Sequence, residues 1–415
     1  MIRNTISNHD ASNLRELAKQ QLDLALSQAM RGREQMWKNH NDLKGEKPLV
    51  TIEVRTFLDD IIPTLQCEDK IARIIEKKLL STIYGFLSTF DDRVVPSYYG
   101  VSPEVEFEIF SIPYLRHYAE GESGGFAIEQ QITDIERQVH ELKPSTFKFD
   151  KELFLDEIKL AEDVFGDILP VKITCAPIGV FLSKHIVDLM GMENMMYALY
   201  DFPNEMREFI DKIVDEYLKY FRFLEENKLL VQNNDNTIVK MGTVGFTDDL
   251  PKVTGKIVTT KDIWGHLNSQ ETSSISAEMY DDFFSDAYAK VASEFGLYTY
   301  GCCEQVDGIW KNSIKRKMPN GLRKISISPW CNEEFMGEQL RSEKIIFHRK
   351  PSPNFIGVGK YLDEEGFKHH IEKTLKAAKG CKVEFSLRDI YTLSGELSKP
   401  RKAVEIIRQA IERLW

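Results

Sequence analysis

Residues 300–304 read Tyr-Gly-Cys-Cys-Glu. Two thiols and a carboxylate this close supply what a thiolate nucleophile or a soft metal site needs. His266, Asn268, Gln270 and Glu271 form a second polar group upstream. Cys302, Cys303 and Glu304, joined by His266, suit Zn²⁺, which takes sulfur, nitrogen and oxygen donors at ~2.0–2.3 Å in tetrahedral geometry. Thiolates favour zinc over Mg²⁺. Plainer roles stand beside these. A free cysteine packs as a small hydrophobe. Neighbours on a strand point to opposite faces, so only one thiol lines a site unless the chain bends. A vicinal disulfide is a third option, which a reducing compartment disfavours. Glu271 is expected in the site as acid, base or ligand. The same stretch also nearly makes a helix cap, with Ser273 or Ser274 ahead of Glu278.

Cations cluster later, as Arg349-Lys350 and Arg388-Asp389. Arg349, Lys350 and Arg388 read as a clamp for a carboxylate or phosphate, because a guanidinium offers a bidentate fork. An ion pair with Asp389 is the structural alternative. Trp330, Asn268 and Gln270 complete the expected substrate contacts, and Tyr300, His266, Glu271 and Asp389 the expected acid–base groups. Asp91-Asp92-Arg93 reads as a structural ion pair. His40, His117, His140, His369 and His370 read as solvated.

These residues need a frame that gathers them. Short β-rich runs alternate with longer helical ones from residue 48 onward, the pattern of βα units and a parallel sheet. Eight runs read as strands: Leu49–Val54, Arg93–Tyr98, Val171–Cys175, Ile263–Leu267, Leu297–Cys302, Lys324–Ser328, Ile345–His348 and Val383–Leu387. Eight fit a closed (β/α)8 TIM barrel, whose chemistry sits at the strand C-termini. An open doubly wound sheet would want a glycine-rich turn after the first strand, and Leu49–Asp60 has no glycine. Residues 1–46 read as an N-terminal helical extension, with one long amphipathic helix over 11–40, and 47–415 as the barrel. Residues 231–261 have little periodicity and read as a long loop near the barrel mouth. Helices are expected over Asp201–Leu230 and Lys399–Trp415.

A net charge of −11 without a basic stripe argues against nucleic acid and against anionic membranes. No apolar run is long enough to span a bilayer and no apolar leader opens the sequence, so a cytoplasmic protein acting on a small molecule is expected.

Several runs resemble the uroporphyrinogen decarboxylase superfamily: Arg33 with Trp37, Pro48-Leu-Val, Cys175-Ala-Pro-Ile-Gly-Val, and the Ser276–Phe283 stretch. Asp91–Pro96, Trp264–Glu271, Tyr300–Glu304, Ile325–Trp330 and Arg349–Pro353 resemble its long-chain, decarboxylase-like subgroup. The resemblance implies a (β/α)8 barrel and one of two activities. The first is zinc-dependent methyl transfer with a corrinoid protein as partner, in which Cys302 alone matches a family metal ligand; that Cys303, Glu304, His266 or Glu271 fill the remaining positions is an expectation from their residue types and not from the family. The second is cofactor-free decarboxylation, with Arg and Lys stabilising a carbanion. A homodimer is also implied. A non-catalytic binding protein is the third reading.

Overall fold

The computed structural model describes residues 6–118 and 125–415. Seven strands make one parallel sheet: β1 (Leu49–Ile52), β2 (Gly179–Val180), β3 (Trp264–Leu267), β4 (Leu297–Tyr300), β5 (Leu322–Ile327), β6 (Ile346–Arg349) and β7 (Val383–Leu387). Their order is β1-β7-β6-β5-β4-β3-β2, and every neighbouring pair is parallel. Helices separate them in sequence, among them Pro203–Glu226, Glu333–Leu340 and Glu364–Ala377, and Lys399–Leu414 follows β7. The chain is thus mixed α/β with a parallel central sheet.

Side-chain parity divides the sheet into two chemically different faces. Ile52, Tyr298, Ile325, Phe347 and Phe385 join one apolar core with residues such as Phe209 and Ile213 of the Pro203–Glu226 helix. Alternate positions are polar and equally buried: Thr51, His266, Thr299, Lys324, His348, Glu384 and Ser386. Buried polar groups must find partners, so this inner face is tied by side-chain contacts. Glu384 Oε2 lies 2.7 Å from Lys324 Nζ and 3.3 Å from His40 Nε2, and Oε1 lies 3.2 Å from His348 Nε2.

Six of the eight expected strands lie in the sheet, and two do not. Arg93–Tyr98 forms no strand. Asp92 N donates to Val50 O (2.8 Å), but the Asp92 and Asp91 carboxylates accept from Val50 N and Ile52 N (both 2.8 Å). Side chains thus take the ladder positions along the β1 edge, and Pro96 has no N–H to extend them. Val171–Ile173 instead pairs with Tyr99–Val101 in a separate two-stranded sheet. The seventh strand, β2, is two residues long, too short to show a period.

Three further expectations change. The helix expected over 11–40 is two, Asn8–Ala25 and Arg33–Asn41: the backbone is extended at Ser27 (ψ 158°) and Arg31 (ψ 128°) on either side of a single turn, and Gly32 (φ +76°) begins the second helix. His40, expected in solvent, is buried against Glu384. His370 is half-buried, 3.3 Å from Arg349, whereas His117, His140 and His369 are exposed.

The 231–261 segment is also more than a loop. It carries a hairpin, Ile238–Lys240 against Thr243–Val244, laid along the polar face of the sheet. Gly242 O accepts from Thr51 Oγ1 (2.8 Å), and Thr243 Oγ1 accepts from Lys324 Nζ (2.5 Å). Gly242 has φ +82°, and a Cβ there would stand 3.3 Å from Ser386 Cβ. Gly242→Ala is expected to cost about 1–2 kcal/mol in urea unfolding. No helix among the described residues is long and apolar enough to cross a membrane.

Candidate active site

The ends of β4, β6 and β7 bring together Cys302, Cys303, Lys350 and Arg388, and Arg388 reaches back to Glu53 after β1. Strand parity decides which residues enter. Position 349 shares the outward face with Phe347, and position 350 returns inward with His348. Arg349 therefore leaves the expected clamp. Its guanidinium is buried, 2.5 Å from Glu333 Oε1, and donates to Ile327 O (3.1 Å) and Ser328 O (2.5 Å). Lys350 is buried and its Nζ has no hydrogen-bond partner among the described residues. Burial, opposed by the nearby Cys302, lowers its ammonium pKa to about 8.

The thiol pair escapes strand parity because of Gly301. The strand ends at Tyr300, Gly301 takes φ +94°, and its N–H still donates to Leu267 O (2.8 Å). A left-handed residue costs glycine nothing. The bend carries Cys302 and Cys303 to one side, with their Sγ atoms 3.6 Å apart. Both are free thiols. The Cys303 hydrogen bond, with help from Lys350 and Arg388 and against burial, lowers the Cys302 thiol to about 7. The Cys303 thiol is pushed up by the bond to Cys302 and by burial. Of the two thiols, Cys302 is thus the one favoured as thiolate and Cys303 the one favoured as thiol.

Arg388 positions the pair's charge. Its Nη1 lies 3.5 Å from Cys302 Sγ and contacts Met241 Sδ at the hairpin tip. Its Nε is 3.2 Å from Glu53 Oε2, and its Nη2 is 3.3 Å from Asp389 Oδ1. Asp389 therefore orients Arg388. Met241 and Lys240 had no motif to announce them. Only the threading of the hairpin brings them here.

Most of the other expected residues are held by contacts within the fold. Glu304 is buried, accepting from Ser269 N (2.9 Å) and Cys302 N (2.7 Å), so its carboxylate fixes the backbone of the thiol turn. Burial raises its pKa against those bonds. Tyr300 faces outward and hydrogen-bonds Tyr280 Oη (2.6 Å) and Ser269 Oγ (2.7 Å). Glu271 accepts from Ser183 Oγ (2.8 Å) on the helix after β2. Gln270 and Trp330 are exposed. Asn268 is buried with Nδ2 3.4 Å from His266 Nε2, and its carbonyl accepts from Tyr288 Oη. His266 does face the inner side, bonded through Nδ1 to Thr299 Oγ1 (2.6 Å). Burial first, then the charges of Lys350, Lys240 and Arg388, keep its imidazole neutral, well below its usual pKa.

The zinc expectation can be tested on these donors. Two sulfurs 3.6 Å apart suit adjacent corners of a tetrahedron with Zn–S of ~2.3 Å. Glu304 is turned to two amides and supplies no third corner, and His266 is bonded through Nδ1 to Thr299 with its Nε2 3.4 Å from Asn268 Nδ2. Among the described residues no three His, Cys, Asp or Glu side chains converge as a metal shell. The donors do not fit a protein-held zinc ion, and no step below is assigned to one. A cavity of about 450 Å³ opens elsewhere, beside the small sheet, lined by Tyr98, Thr174 and Asn236. Its lysines are already paired, Lys77 with Asp59 and Lys78 with Glu157.

No family model and no curated protein matches the sequence. Among solved structures, a methyltransferase from Methanosarcina mazei is similar, with a TM-score of 0.51 and 11% identity over 92% of this chain and 98% of that chain. At that identity the likeness is one of fold.

Proposed function

We propose that this chain is a methyltransferase-like enzyme in which Cys302 takes a methyl group from a small anionic substrate. The reading treats the seven-stranded sheet as the wall of a (β/α)8-type barrel, with residues 91–93 covering the edge of β1. It keeps the resemblance to the uroporphyrinogen decarboxylase superfamily as support, together with the fold shared with a methyltransferase. The observation that carries it is a thiol lowered to about 7 beside Lys350 and Arg388 at the C-terminal ends of the strands.

Lys350 and Arg388 hold the substrate's oxyanion, and the unpartnered Lys350 Nζ is the open donor for it. The Cys302 thiolate attacks the methyl carbon. The S–CH3 bond forms as the CH3–X bond breaks, and the leaving group X keeps the electron pair. Glu304 holds the Cys302 amide still, so the sulfur meets the carbon in one geometry. A corrinoid protein, implied by the resemblance, is the proposed partner that exchanges this methyl group.

The test is single turnover with small trimethylammonio and dimethylsulfonio carboxylic acids, from which a neutral amine or thioether leaves with the electron pair, read as S-methylation of Cys302 by peptide mass. No methylated Cys302 with any of them overturns the proposal. Lys350→Met is expected to raise KM for the acid by about 10–100-fold, the scale of one lost charge-assisted hydrogen bond. It is also expected to move the Cys302 limb of the pH profile upward, because a cation that favours the thiolate is gone. A cofactor-free carboxy-lyase is the alternative that the unpaired ammonium favours. It would release CO2 at a rate that Cys302→Ser leaves unchanged.

A further inference from the structure

The transfer reading uses one thiol of the pair and leaves Cys303 without a chemical task. Cys303 is nonetheless placed with care. Gly301 at φ +94° turns it to the side of Cys302, a Cβ at that glycine would press on Ser326 Cβ at 3.2 Å, and the two sulfurs touch at 3.6 Å. Cys303 is also the more exposed of the two. We propose that Cys302 and Cys303 are a reversible oxidation site, at which a hydroperoxide converts the two thiols into a vicinal disulfide.

The chemistry divides between them. The Cys302 thiolate, stabilised first by the Cys303 hydrogen bond and then by Lys350 and Arg388, attacks the O–O bond. An S–O bond forms, the O–O bond breaks, and the departing oxygen takes a proton and leaves as alcohol, or as water from hydrogen peroxide. Cys303 then attacks the sulfenic sulfur. The S–S bond forms, the S–O bond breaks, and hydroxide leaves with the Cys303 proton as water. Two electrons pass from the thiols to the peroxide, so no further reactant is needed. The turn at Gly301 lies beyond the last ladder residue of β4, so closure asks for movement in a short bend and not in the sheet. The other cysteines lack this arrangement. Cys67, Cys175, Cys331 and Cys381 are buried, and burial raises their thiols to about 12, 12, 11 and 11.

The proposal does not rest on methyl transfer, since its readout is thiol mass. The reduced full-length protein is treated with equimolar hydrogen peroxide, digested and mapped. The expected product is loss of two hydrogens on the peptide holding residues 302–303, reversed by dithiothreitol. That peptide should oxidise at least about tenfold faster than those carrying the other cysteines. Cys303→Ser should stop at a sulfenic acid on Cys302 that dimedone labels, and Cys302→Ser should react at neither position. If the wild-type protein goes directly to sulfinic acid, or if Cys303→Ser gives the same products as wild type, the proposal fails. The wild-type map alone decides the matter should either variant not fold.

Discussion

Cys302→Ser is expected to lower kcat/KM by roughly 10³-fold or more while leaving the urea midpoint nearly unchanged, the scale reached when a nucleophile is removed. A serine hydroxyl is isosteric, but at neutral pH it is not ionised. The pH dependence gives the sharper signature. In the proposed reaction the thiolate is the active form, so activity is expected to rise with pH through about 7. In the proposed reaction the Lys350 ammonium holds the substrate, so binding is expected to decline as pH rises through about 8. A narrow bell between those values is expected, and its acid limb disappears in Cys302→Ser. Rates in initial-velocity assays across that range check it. An acid limb that persists in the variant would assign the titration to another group and remove Cys302 from the chemistry.

The second large effect is on stability. Lys324→Met is expected to destabilise the protein by about 3–5 kcal/mol at neutral pH, because it leaves Glu384 buried without its cation. Burial alone would raise the Glu384 carboxyl. The Lys324 ammonium, together with the contacts of His348 and His40, outweighs it and holds the carboxyl well below its usual range. His40 and His348 are kept neutral by burial and line the same carboxylate. In the wild type a depressed folded-state pKa means that stability is present above the ordinary carboxylate value, ~4.3, and is lost as pH falls below it. The variant reverses the sign. Without Lys324 the folded-state carboxyl rises, so protonation relieves the buried charge as pH falls. The penalty should therefore shrink between neutrality and about pH 4. Adding Glu384→Gln to Lys324→Met should recover part of the loss. Urea unfolding of the wild type, the single variant and the double variant at both pH values measures all three statements. A penalty that does not change with pH would mean that Lys324 acts by packing between Trp37 and Trp264, whose rings lie 5.5 and 5.7 Å from its Nζ.

Local physics made much of the frame legible. Parallel βα units follow from apolar runs spaced by amphipathic helices, and the helix expected over Asp201–Leu230 forms as Pro203–Glu226, two residues later at its start and four shorter at its end. The pairing of Arg93 with Asp91 (2.7 Å) follows from charges two residues apart. The sequence also held the parity rule that separates Arg349 from Lys350, since alternate residues of a strand face opposite ways. Applied strictly from Phe347 onward, it would have removed Arg349 from the clamp and left Lys350 in it. Tyr300 would have gone outward with Tyr298 by the same count.

Tertiary structure decided what depends on contacts distant in sequence. The seating of His40 on Glu384, more than three hundred residues away, has no local signal, and a histidine in a charged helix reads as solvated until its partner is seen. The hairpin at 238–244 is equally silent, because its strands are held by Thr51 and Lys324 side chains and not by a period of its own. The thiol turn lies between these cases. Tyr300–Glu304 announced reactive chemistry, but residue types alone cannot say whether Glu304 and His266 serve a metal or the fold. Hydrogen bonds from Ser269 and Cys302 give Glu304 to the fold, and no third metal donor converges on the thiols among the described residues. Residue type sets what a side chain can do. Which of those things it does depends on which donors reach it first, and that is a property of the folded chain.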